Sequence, residues 1–211
     1  MAIIFDLDGV LLDTLELHRG VWRAWADTHG LDPAHVFAAT FGRRPEDAIR
    51  DVAPQLDVVV ELGRLDVLLD ARLDEVRLQP GALSATEVAA HGPWAVVTST
   101  DARRARRYLT HLGCYAPQVI IGGGDVERGK PAPDGFLAAA LGLEVPLPLC
   151  LVVEDAPAGV AAAKAAGAVV LALATTHTRE ALQGADLVVD DLVAAQDLLE
   201  NWVEECHRRR T

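Results

Sequence analysis

The motif Asp6-Leu7-Asp8-Gly9 constrains this chain more than any other part of its sequence. It follows the apolar residues 2–5, which predict a buried strand. Two carboxylates at positions i and i+2 after a strand can converge on one point, and the glycine lets the backbone turn sharply beside a ligand. Such a pair suits a divalent cation that prefers oxygen ligands, Mg²⁺ above all. The competing interpretation is an ordinary Asp-Gly turn with solvated acids, so the rest of the chain has to decide.

The charge and composition of the chain argue against several classes of partner. With 211 residues, of which 51% are hydrophobic, the chain is long enough for one large core or a core with one insertion. Its formal net charge of −12 argues against nucleic acid or an anionic membrane as the main partner. The short basic stretch at residues 207–210 does not reverse this balance.

The cysteines and the apolar segments predict a cellular setting. Cys114, Cys150 and Cys206 lack the spacing of a metal site, and their odd number predicts free thiols in a reducing compartment. Cys150 lies in an apolar run and is predicted to pack as a small hydrophobic residue. No basic region precedes the first predicted strand, and no apolar stretch is uniform enough to span a bilayer. We therefore expect a cytoplasmic protein with no signal peptide and no membrane contact, and we expect a monomer.

From about residue 80 onward, apolar strands alternate with helices. Strands are predicted at residues 94–98, 119–121, 149–153, 169–173 and 187–189, and helices at 101–112, 133–141, 156–166 and 192–205. This alternation predicts right-handed βαβ units and a parallel sheet with helices on both faces. The predicted fold class is therefore α/β, with a doubly wound parallel sheet.

The segment before this alternation has a different pattern. Residues 15–29, 33–40, 46–53 and 56–77 are predicted to be helical, with almost no strand candidates. Gln79-Pro80-Gly81 marks the return to the sheet. We therefore predict an all-helical domain at residues 15–78, inserted into a core formed by residues 1–14 and 79–211. The two linkers, near Thr14 and near residues 79–81, would be the hinges.

Further polar groups are predicted to reach the same edge of the sheet as the opening aspartates. In open α/β sheets, ligands bind outside the carboxyl ends of the strands. The hydroxyls of residues 98–100 follow the second core strand, Lys130 follows the third, and Glu154 and Asp155 follow the fourth. Taken singly, these residues are ordinary helix caps or, for Lys130, a surface lysine. Their common placement instead predicts one site.

These groups together suit phosphoryl transfer. A carboxylate nucleophile and a phosphate dianion repel each other. A Mg²⁺ ion held by Asp6, Asp155 and a backbone carbonyl would offset that repulsion, together with the Lys130 ammonium. An aspartate nucleophile divides hydrolysis into two displacements. The second carboxyl, Asp8, can protonate the leaving alcohol and later deprotonate the attacking water.

Four segments resemble, as a set, the signature motifs of the haloacid dehalogenase-like hydrolases. They are residues 6–14, 97–99, 129–134 and 153–159, and the resemblance covers essentially the whole chain in order. It implies a Rossmann-like core, a helical cap inserted after the first motif, and Mg²⁺ as the cofactor. It also argues against true dehalogenases, which lack the second aspartate of the first motif and need no metal.

The resemblance implies roles for the acidic residues. Asp6 would be the nucleophile, and Asp8 the general acid and base, with its backbone carbonyl on Mg²⁺. Asp155 would bind Mg²⁺, and Glu154 would support the ion through water.

The resemblance also implies which groups bind phosphate. Thr98 and Lys130 would contact the phosphate, and Ser99 offers a further hydroxyl at the same turn. His18 lies where β-phosphoglucomutases carry a functional histidine. It is predicted either to contact the substrate or to be a polar group between cap and core.

The cap is predicted to select the substrate. Residues 41–49 resemble the His-Gly-Arg-Arg stretch of the glycerol-3-phosphate and 2-deoxyglucose-6-phosphate phosphatases, with Phe41 where that subgroup often has His. Arg43 or Arg44 would lie on a cap loop over the site and hold the substrate's phosphate or hydroxyls. The competing interpretation is a pair of solvated arginines at the start of a helix.

The leading hypothesis is a Mg²⁺-dependent phosphatase that acts on a small phosphorylated metabolite, a sugar or polyol phosphate. The first alternative is a phosphosugar mutase of the same family, which must keep water from the aspartyl phosphate. The second is a non-catalytic phosphate-binding module, against which the intact Asp6 and Asp8 argue.

Overall fold

A parallel sheet of six strands forms the centre of the molecule, in a computed structural model that describes residues 1–40 and 43–208. Along the chain the strands are β1 (Ala2–Phe5), β2 (Leu12–Asp13), β3 (Arg77–Leu78), β4 (Trp94–Val97), β5 (Val119–Ile121), β6 (Cys150–Glu154), β7 (Val169–Leu173) and β8 (Leu187–Val189). The sheet order is β5-β4-β1-β6-β7-β8, with every pair parallel. The predicted α/β class with a doubly wound parallel sheet is confirmed.

The central strand β1 is buried on both faces because its side chains alternate between two hydrophobic cores. Ile3 and Phe5 pack into the core that includes the first helices, and Ile4 packs into the core on the opposite face. Ile4 lies between Ala95 of β4 and Val152 of β6. The carboxyl ends of β4, β1 and β6 are therefore side by side, at the point where the chain reverses its direction across the sheet.

The helices of the described residues are α1 (Leu15–His29), α2 (Pro33–Ala38), α3 (Pro45–Val52), α4 (Val58–Asp70), α5 (Ala82–Ala89), α6 (Ala102–His111), α7 (Asp134–Gly142), α8 (Pro157–Ala166) and α9 (Leu192–Arg208). Their ends follow local sequence signals: Asp101 caps α6 by accepting the N–H groups of Arg103 and Arg104, and Gly167 ends α8 at a φ of 87°. Among these helices, none combines the length and the apolar character that a bilayer crossing requires.

The segment between β2 and β3 is largely helical, as predicted, but its end is not. The predicted helix over residues 56–77 is wrong in its last part, because α4 ends at Asp70 and a 3₁₀ turn follows at Leu73–Glu75. Strand β3 then pairs antiparallel with β2, with Leu78 opposite Leu12. A strand of two residues is too short to show a period of two, so the sequence pattern could not indicate this ribbon.

One smaller correction matters for the site. The fourth core strand is Cys150–Glu154, one residue later than predicted, because Leu149 belongs to a 3₁₀ turn at Leu147–Leu149. Glu154 is therefore part of the sheet and is only 1% exposed. Cys150 is buried, as its apolar surroundings predicted.

Candidate functional site

The turn after β1 brings its two acids to the edge of the sheet and its glycine against a second loop. The Asp6 N–H donates to the carbonyl of Val153 at 2.9 Å, which ties this turn to β6. Gly9 has a φ of 86°, and a Cβ at this position would overlap the carboxylate of Asp155. Only a residue without a side chain permits this approach, which agrees with the role that the sequence predicted for the glycine.

Three acids from two strand ends meet below this turn. Carboxylate oxygens of Asp6, Glu154 and Asp155 lie within 4.8 Å of one another, and all of these residues are buried. The Lys130 ammonium, with a side chain only 8% exposed, donates to both Asp6 and Glu154, the latter at 2.5 Å. It also lies 3.3 Å from the carbonyl oxygen of Val97. The structure thus brings together the predicted nucleophile, lysine and metal-binding acids.

The charges of this cluster do not balance. Burial raises the pKa of Asp6 to about 7, against the opposing effect of Lys130. Burial and the neighbouring Glu154 also raise the pKa of Asp155 well above its ordinary value. One ammonium cannot offset three buried carboxylates, so a divalent cation with oxygen ligands would remove an energetic cost. The donor set fits Mg²⁺, and Asp6 and Asp155 remain its predicted side-chain ligands.

Glu154 organises the turn between β6 and α8. Its Oε2 accepts the backbone N–H groups of Asp155 at 2.9 Å and Ala156 at 3.1 Å. A Cβ at Gly159 would overlap the Glu154 carboxylate, so the first turn of α8 leaves space for it. The carboxylate thus fixes the backbone that carries Asp155. Its predicted support of the ion through water remains a prediction.

Asp8 is surrounded by hydroxyl groups. Its Oδ1 accepts from Thr14 at 2.7 Å, and its Oδ2 accepts from Thr100 at 3.0 Å and from Thr98 at 3.4 Å. The His18 Nε2 lies 3.5 Å from Oδ1. Burial alone would raise the pKa of Asp8, but His18 and the hydroxyls outweigh it and lower the pKa to about 2. His18 therefore contacts a proposed catalytic acid rather than solvent.

Thr100, one of the three hydroxyls predicted to reach the site after the second core strand, holds Asp8 together with Thr14. Thr14 and Thr175 were not among the predicted site residues, and Thr175 donates to the carbonyl of Gly9 at 2.6 Å. Isolated threonines are common at strand and helix ends, so the sequence gives no signal for the contacts of these two residues. Thr98 also accepts the Thr100 N–H at 3.0 Å, so its predicted contact with phosphate remains a prediction.

The turn after β7 also reaches the acidic cluster. The Thr176 hydroxyl contacts Asp155 Oδ2 and lies 3.2 Å from the Asp155 carbonyl oxygen. Thr176 and His177, which the sequence places after a core strand either at the rim of the site or in an ordinary loop, both line the cavity above the acids. Their position after the carboxyl end of a central strand is the one available signal for this role.

The cavity above the acids has a volume of about 110 Å³ and is covered by the helical segment. Its lining from that segment is Leu15, His18, Trp22, Phe37, Thr40, Arg43 and Pro45. Its lining from the core includes Ser99, Thr100 and Lys130 beside the acids. The Arg43 guanidinium donates to Asp51 at 2.6 Å, so its charge is already partly neutralised. Phe41 and Gly42, which belong to the same resembling stretch, lie outside the described residues.

Arg43 and Arg44, which the sequence left as alternatives, point to different places. Arg43 lines the cavity, whereas Arg44 contacts the loop between β5 and Lys130. Arg44 Nη1 lies 3.2 Å from the carbonyl oxygens of Val126 and Glu127. Of the two arginines, Arg43 is therefore the one that remains the predicted contact for the substrate.

Comparison with known proteins places the chain among hydrolases. The family described as haloacid dehalogenase-like hydrolase matches residues 1–167. Hexitol phosphatase A of Escherichia coli (strain K12) is 36% identical over 196 residues, which cover 90% of this chain and 91% of that protein. 2-Deoxyglucose-6-phosphate phosphatase 2 of Saccharomyces cerevisiae is 34% identical over an alignment of 215 positions, gaps included, which covers 90% of this chain and 87% of that protein.

A solved structure has the same arrangement of sheet and helices. The crystal structure of β-phosphoglucomutase from Clostridium difficile matches with a TM-score of 0.83 and 25% sequence identity. The match covers 98% of this chain and 98% of that one, so it includes the helical segment as well as the sheet.

Proposed function

Because the chain belongs to the haloacid dehalogenase-like hydrolase family, we propose that it is a Mg²⁺-dependent phosphatase acting on a small sugar or polyol phosphate. The family resemblance that the four motifs predicted is confirmed. The observation that carries the proposal is the meeting of Asp6, Lys130 and Asp155 at the floor of one cavity. The names of the two phosphatase relatives support a sugar or polyol phosphate as the substrate class.

In the proposed reaction, a carboxylate oxygen of Asp6 attacks phosphorus and the alcohol leaves. Bound Mg²⁺ would supply positive charge that offsets the repulsion between this carboxylate and the phosphate. The Lys130 ammonium neutralises further charge on the phosphate oxygens, and the hydroxyls of Thr98 and Ser99 donate to them. The product of this step is an aspartyl phosphate, a mixed anhydride of the Asp6 carboxyl group and phosphate, which water then hydrolyses to release phosphate and restore the Asp6 carboxylate.

Asp8 has the position and the protonation state for proton transfer. With a pKa of about 2 it is ionised at neutral pH, which is the state that a general base requires for the water step. Because a pKa of about 2 leaves Asp8 ionised, it must first take up a proton before it can act as the general acid and pass that proton to the leaving oxygen. This transfer requires it to exchange a hydroxyl contact, with Thr14 or Thr100, for the leaving group.

The helical segment would select the leaving group. Arg43 is the proposed contact for the substrate's hydroxyls, with His18 beside it at the boundary with the core. Because Asp51 already pairs with Arg43, the segment offers this guanidinium to neutral hydroxyls rather than to a second phosphate. A small monophosphate with a hydroxylated leaving group fits this lining and a cavity of about 110 Å³.

The proposal is tested by phosphate release from a panel of compounds. The panel contains hexitol phosphates, 2-deoxyglucose 6-phosphate and glycerol phosphates, each assayed with Mg²⁺ and with a chelator. We expect release that depends on Mg²⁺ for at least one compound. If folded protein releases phosphate from none of them, the proposed function is wrong.

The two alternatives have less support. A mutase would resemble the solved β-phosphoglucomutase, which is 25% identical, but the relatives that are 36% and 34% identical are named phosphatases. Conversion of glucose 1-phosphate to an isomer without phosphate release would favour the mutase. A non-catalytic phosphate-binding module would not need the buried Asp6 carboxylate beside Lys130.

The setting of the enzyme follows from the same observations. We propose a cap at residues 15–78 on a core of residues 1–14 and 79–211, with the β2–β3 ribbon between them. The three cysteines are free, which is consistent with the proposed cytoplasmic setting. We also propose that the protein acts as a monomer without nucleic acid or membrane partners, which its net charge of −12 favours.

A further inference from the structure

The Arg44 guanidinium lies in a socket on the surface of the core, and backbone carbonyl oxygens form this socket. Its Nη1 lies 3.4 Å from the carbonyl oxygen of Gly123 and 3.2 Å from those of Val126 and Glu127. Two hydrogens on one nitrogen therefore face three acceptors, all in the loop that joins β5 to Lys130. The Arg44 side chain is only 12% exposed. The contact thus joins the helical segment to the core through a largely buried cation.

Two glycines of this loop make room for the arginine. A Cβ at Gly129 would lie 2.7 Å from Arg44 Nε and 2.8 Å from its Cγ and Cδ. A Cβ at Gly123 would lie 3.2 Å from Arg44 Cγ and 2.5 Å from the carbonyl oxygen of Ser99. A side chain at Gly129 would thus displace the arginine, which is a reason for glycine at that position in this chain.

A second residue of the helical segment, Asp47, fixes the orientation of the Arg44 side chain. Asp47, on the first turn of α3, accepts from Arg44 Nε at 2.7 Å and from Nη2 at 3.0 Å. This two-point contact fixes the plane of the guanidinium, so little side-chain freedom is lost when Nη1 meets the loop. Because each of its nitrogens has an acceptor, Arg44 is not poised to bind a substrate.

The loop leads directly to the lysine of the site. Gly129 precedes Lys130, whose ammonium bonds to both Asp6 and Glu154. A change in the path of the loop therefore moves the ammonium relative to the attacking carboxylate. Displacements of about 1 Å in a catalytic constellation can cost on the order of 10²-fold in rate.

We propose that Arg44 is a positioning residue: seated in its socket, it holds the helical segment on the core and fixes the loop that places Lys130. The kinetic part of this inference rests on the proposed phosphatase function. The structural part does not, because the contact exists without substrate. Arg44 would therefore couple closure over the substrate to completion of the catalytic site.

The first experiment compares Arg44→Ala with the matched control Arg50→Ala. Arg50 lies on α3 and contacts Asp47, the partner of Arg44, at 3.1 Å. Its side chain is 58% exposed. Hydrogen exchange of the amides in residues 122–130 is measured on both variants without substrate, together with thermal unfolding. We expect exchange to accelerate about tenfold or more in Arg44→Ala, as for the loss of a charged hydrogen bond, and to be unchanged in Arg50→Ala.

Kinetics on the best compound of the panel give the second measurement. We expect kcat/KM to fall between about tenfold and hundredfold in Arg44→Ala, with kcat included in the fall, and Arg44→Lys to restore only part of it. A substrate-binding role would instead raise KM alone. Equal exchange and equal kinetics in Arg44→Ala and Arg50→Ala would overturn the proposal, as would an effect on KM alone.

A double-mutant cycle tests the socket itself, and its Gly129→Ala variant, which leaves Arg44 in place, is a separate test if Arg44→Ala is poorly folded. Gly129→Ala should accelerate exchange in residues 122–130 of the wild-type protein and have a smaller effect once Arg44 is shortened to alanine. The same non-additivity is expected in kcat/KM. Additive effects would mean that Gly129 and Arg44 do not meet, and the proposal would be wrong.

Failure of this inference and failure of the proposed function give different results. If no compound is hydrolysed but exchange of residues 122–130 depends on Arg44, the function is wrong and the contact stands. If compounds are hydrolysed and Arg44→Ala matches Arg50→Ala in both measurements, the phosphatase stands and the positioning role is wrong.

Discussion

The two walls of the cavity differ in how firmly their polar groups are held. On the core wall, Asp6, Glu154 and Asp155 are at most 6% exposed, and Lys130 links two of them across strand ends. On the wall formed by the helical segment, the Arg43 side chain is 34% exposed and its partner Asp51 is 59% exposed. The polar groups of the core wall are therefore buried and paired with one another, whereas the ion pair of the other wall is partly open to solvent.

This difference separates the chemistry from the choice of substrate. Loss of Lys130 from the core wall would leave buried carboxylates without their partner, which is costly for folding and for catalysis. A substitution at Arg43 changes a partly exposed ion pair, which contributes little to stability. Arg43 can therefore change without loss of the buried acids and lysine of the core.

The largest effect is expected from the core wall. Asp6→Asn should reduce phosphate release by about 10⁴-fold or more, because it removes the nucleophile. The protein should remain folded, since the change removes one of the acids whose charge exceeds that of Lys130. Steady-state phosphate release and thermal unfolding check both statements. Asp13→Asn, at an exposed position in β2, is the control and should retain activity.

A smaller effect is expected from substitution of Thr176, whose hydroxyl contacts the proposed metal ligand Asp155. Thr176→Val removes the hydroxyl that contacts Asp155, and we expect Mg²⁺ affinity to fall by about 10- to 100-fold. Titration calorimetry of the protein with Mg²⁺ measures this directly, and Thr176→Ser should restore the affinity. The exposed Thr178→Val serves as the control. Unchanged affinity in Thr176→Val would show that Asp155 needs no such support.

The wall formed by the helical segment should respond differently. Arg43→Ala should raise KM for a polyol phosphate by about tenfold, as for the loss of a charged hydrogen bond, with little change in kcat. For an aryl phosphate without hydroxyls on its leaving group, KM should not change. An equal rise in KM for both compounds would place Arg43 on the phosphate instead, and would remove the proposed division between the two walls.

The smallest effect concerns the stability of the helical segment. Glu61, 3% exposed, accepts from Trp25 at 2.8 Å and contacts His29 at 2.9 Å and Arg64 at 3.0 Å. Burial would raise its pKa, but these partners outweigh burial and lower it below the ordinary value of 4.5. Stabilisation from Glu61 is therefore present above pH 4.5 and is lost as the pH falls through the lowered value.

The pH dependence of unfolding by urea tests this statement. Between about pH 5 and pH 3, the wild-type protein should lose stability more steeply than Glu61→Gln, whose amide does not titrate. At pH 7 the variant should be less stable by about 1–3 kcal/mol, because a charge-assisted contact is lost. Parallel pH profiles for the two proteins would contradict the assignment.

The core wall could be predicted from the sequence because its residues obey a positional rule. Asp6, Lys130 and Asp155 each follow an apolar strand, and parallel strands deliver their carboxyl ends to one edge. Burial, which raises the pKa of Asp6, is also implied by those strands. The meeting of these three side chains at one edge of the sheet could thus be predicted from the sequence.

Other parts of the site could not be predicted, because they depend on contacts that no local sequence pattern encodes. The threonines at positions 14 and 175 are ordinary residues until the fold brings them to Asp8 and Gly9. Arg43 and Arg44 are neighbours in the chain, yet one lines the cavity and the other enters the core. Their separation follows from the start of α3 at Pro45 and from the path of a loop almost eighty positions away, which a sequence window does not contain.

The β2–β3 ribbon has a consequence for how this protein can be remodelled. Leu12 and Leu78 are paired antiparallel neighbours, so the two points where the polypeptide leaves and re-enters the core are about 5 Å apart. Any compact domain whose termini are adjacent could be inserted there without distortion of the core. The ribbon therefore marks where the intervening segment can be exchanged, and a chimaera that keeps His18 and Arg44 would test whether the rest of that segment carries the substrate preference.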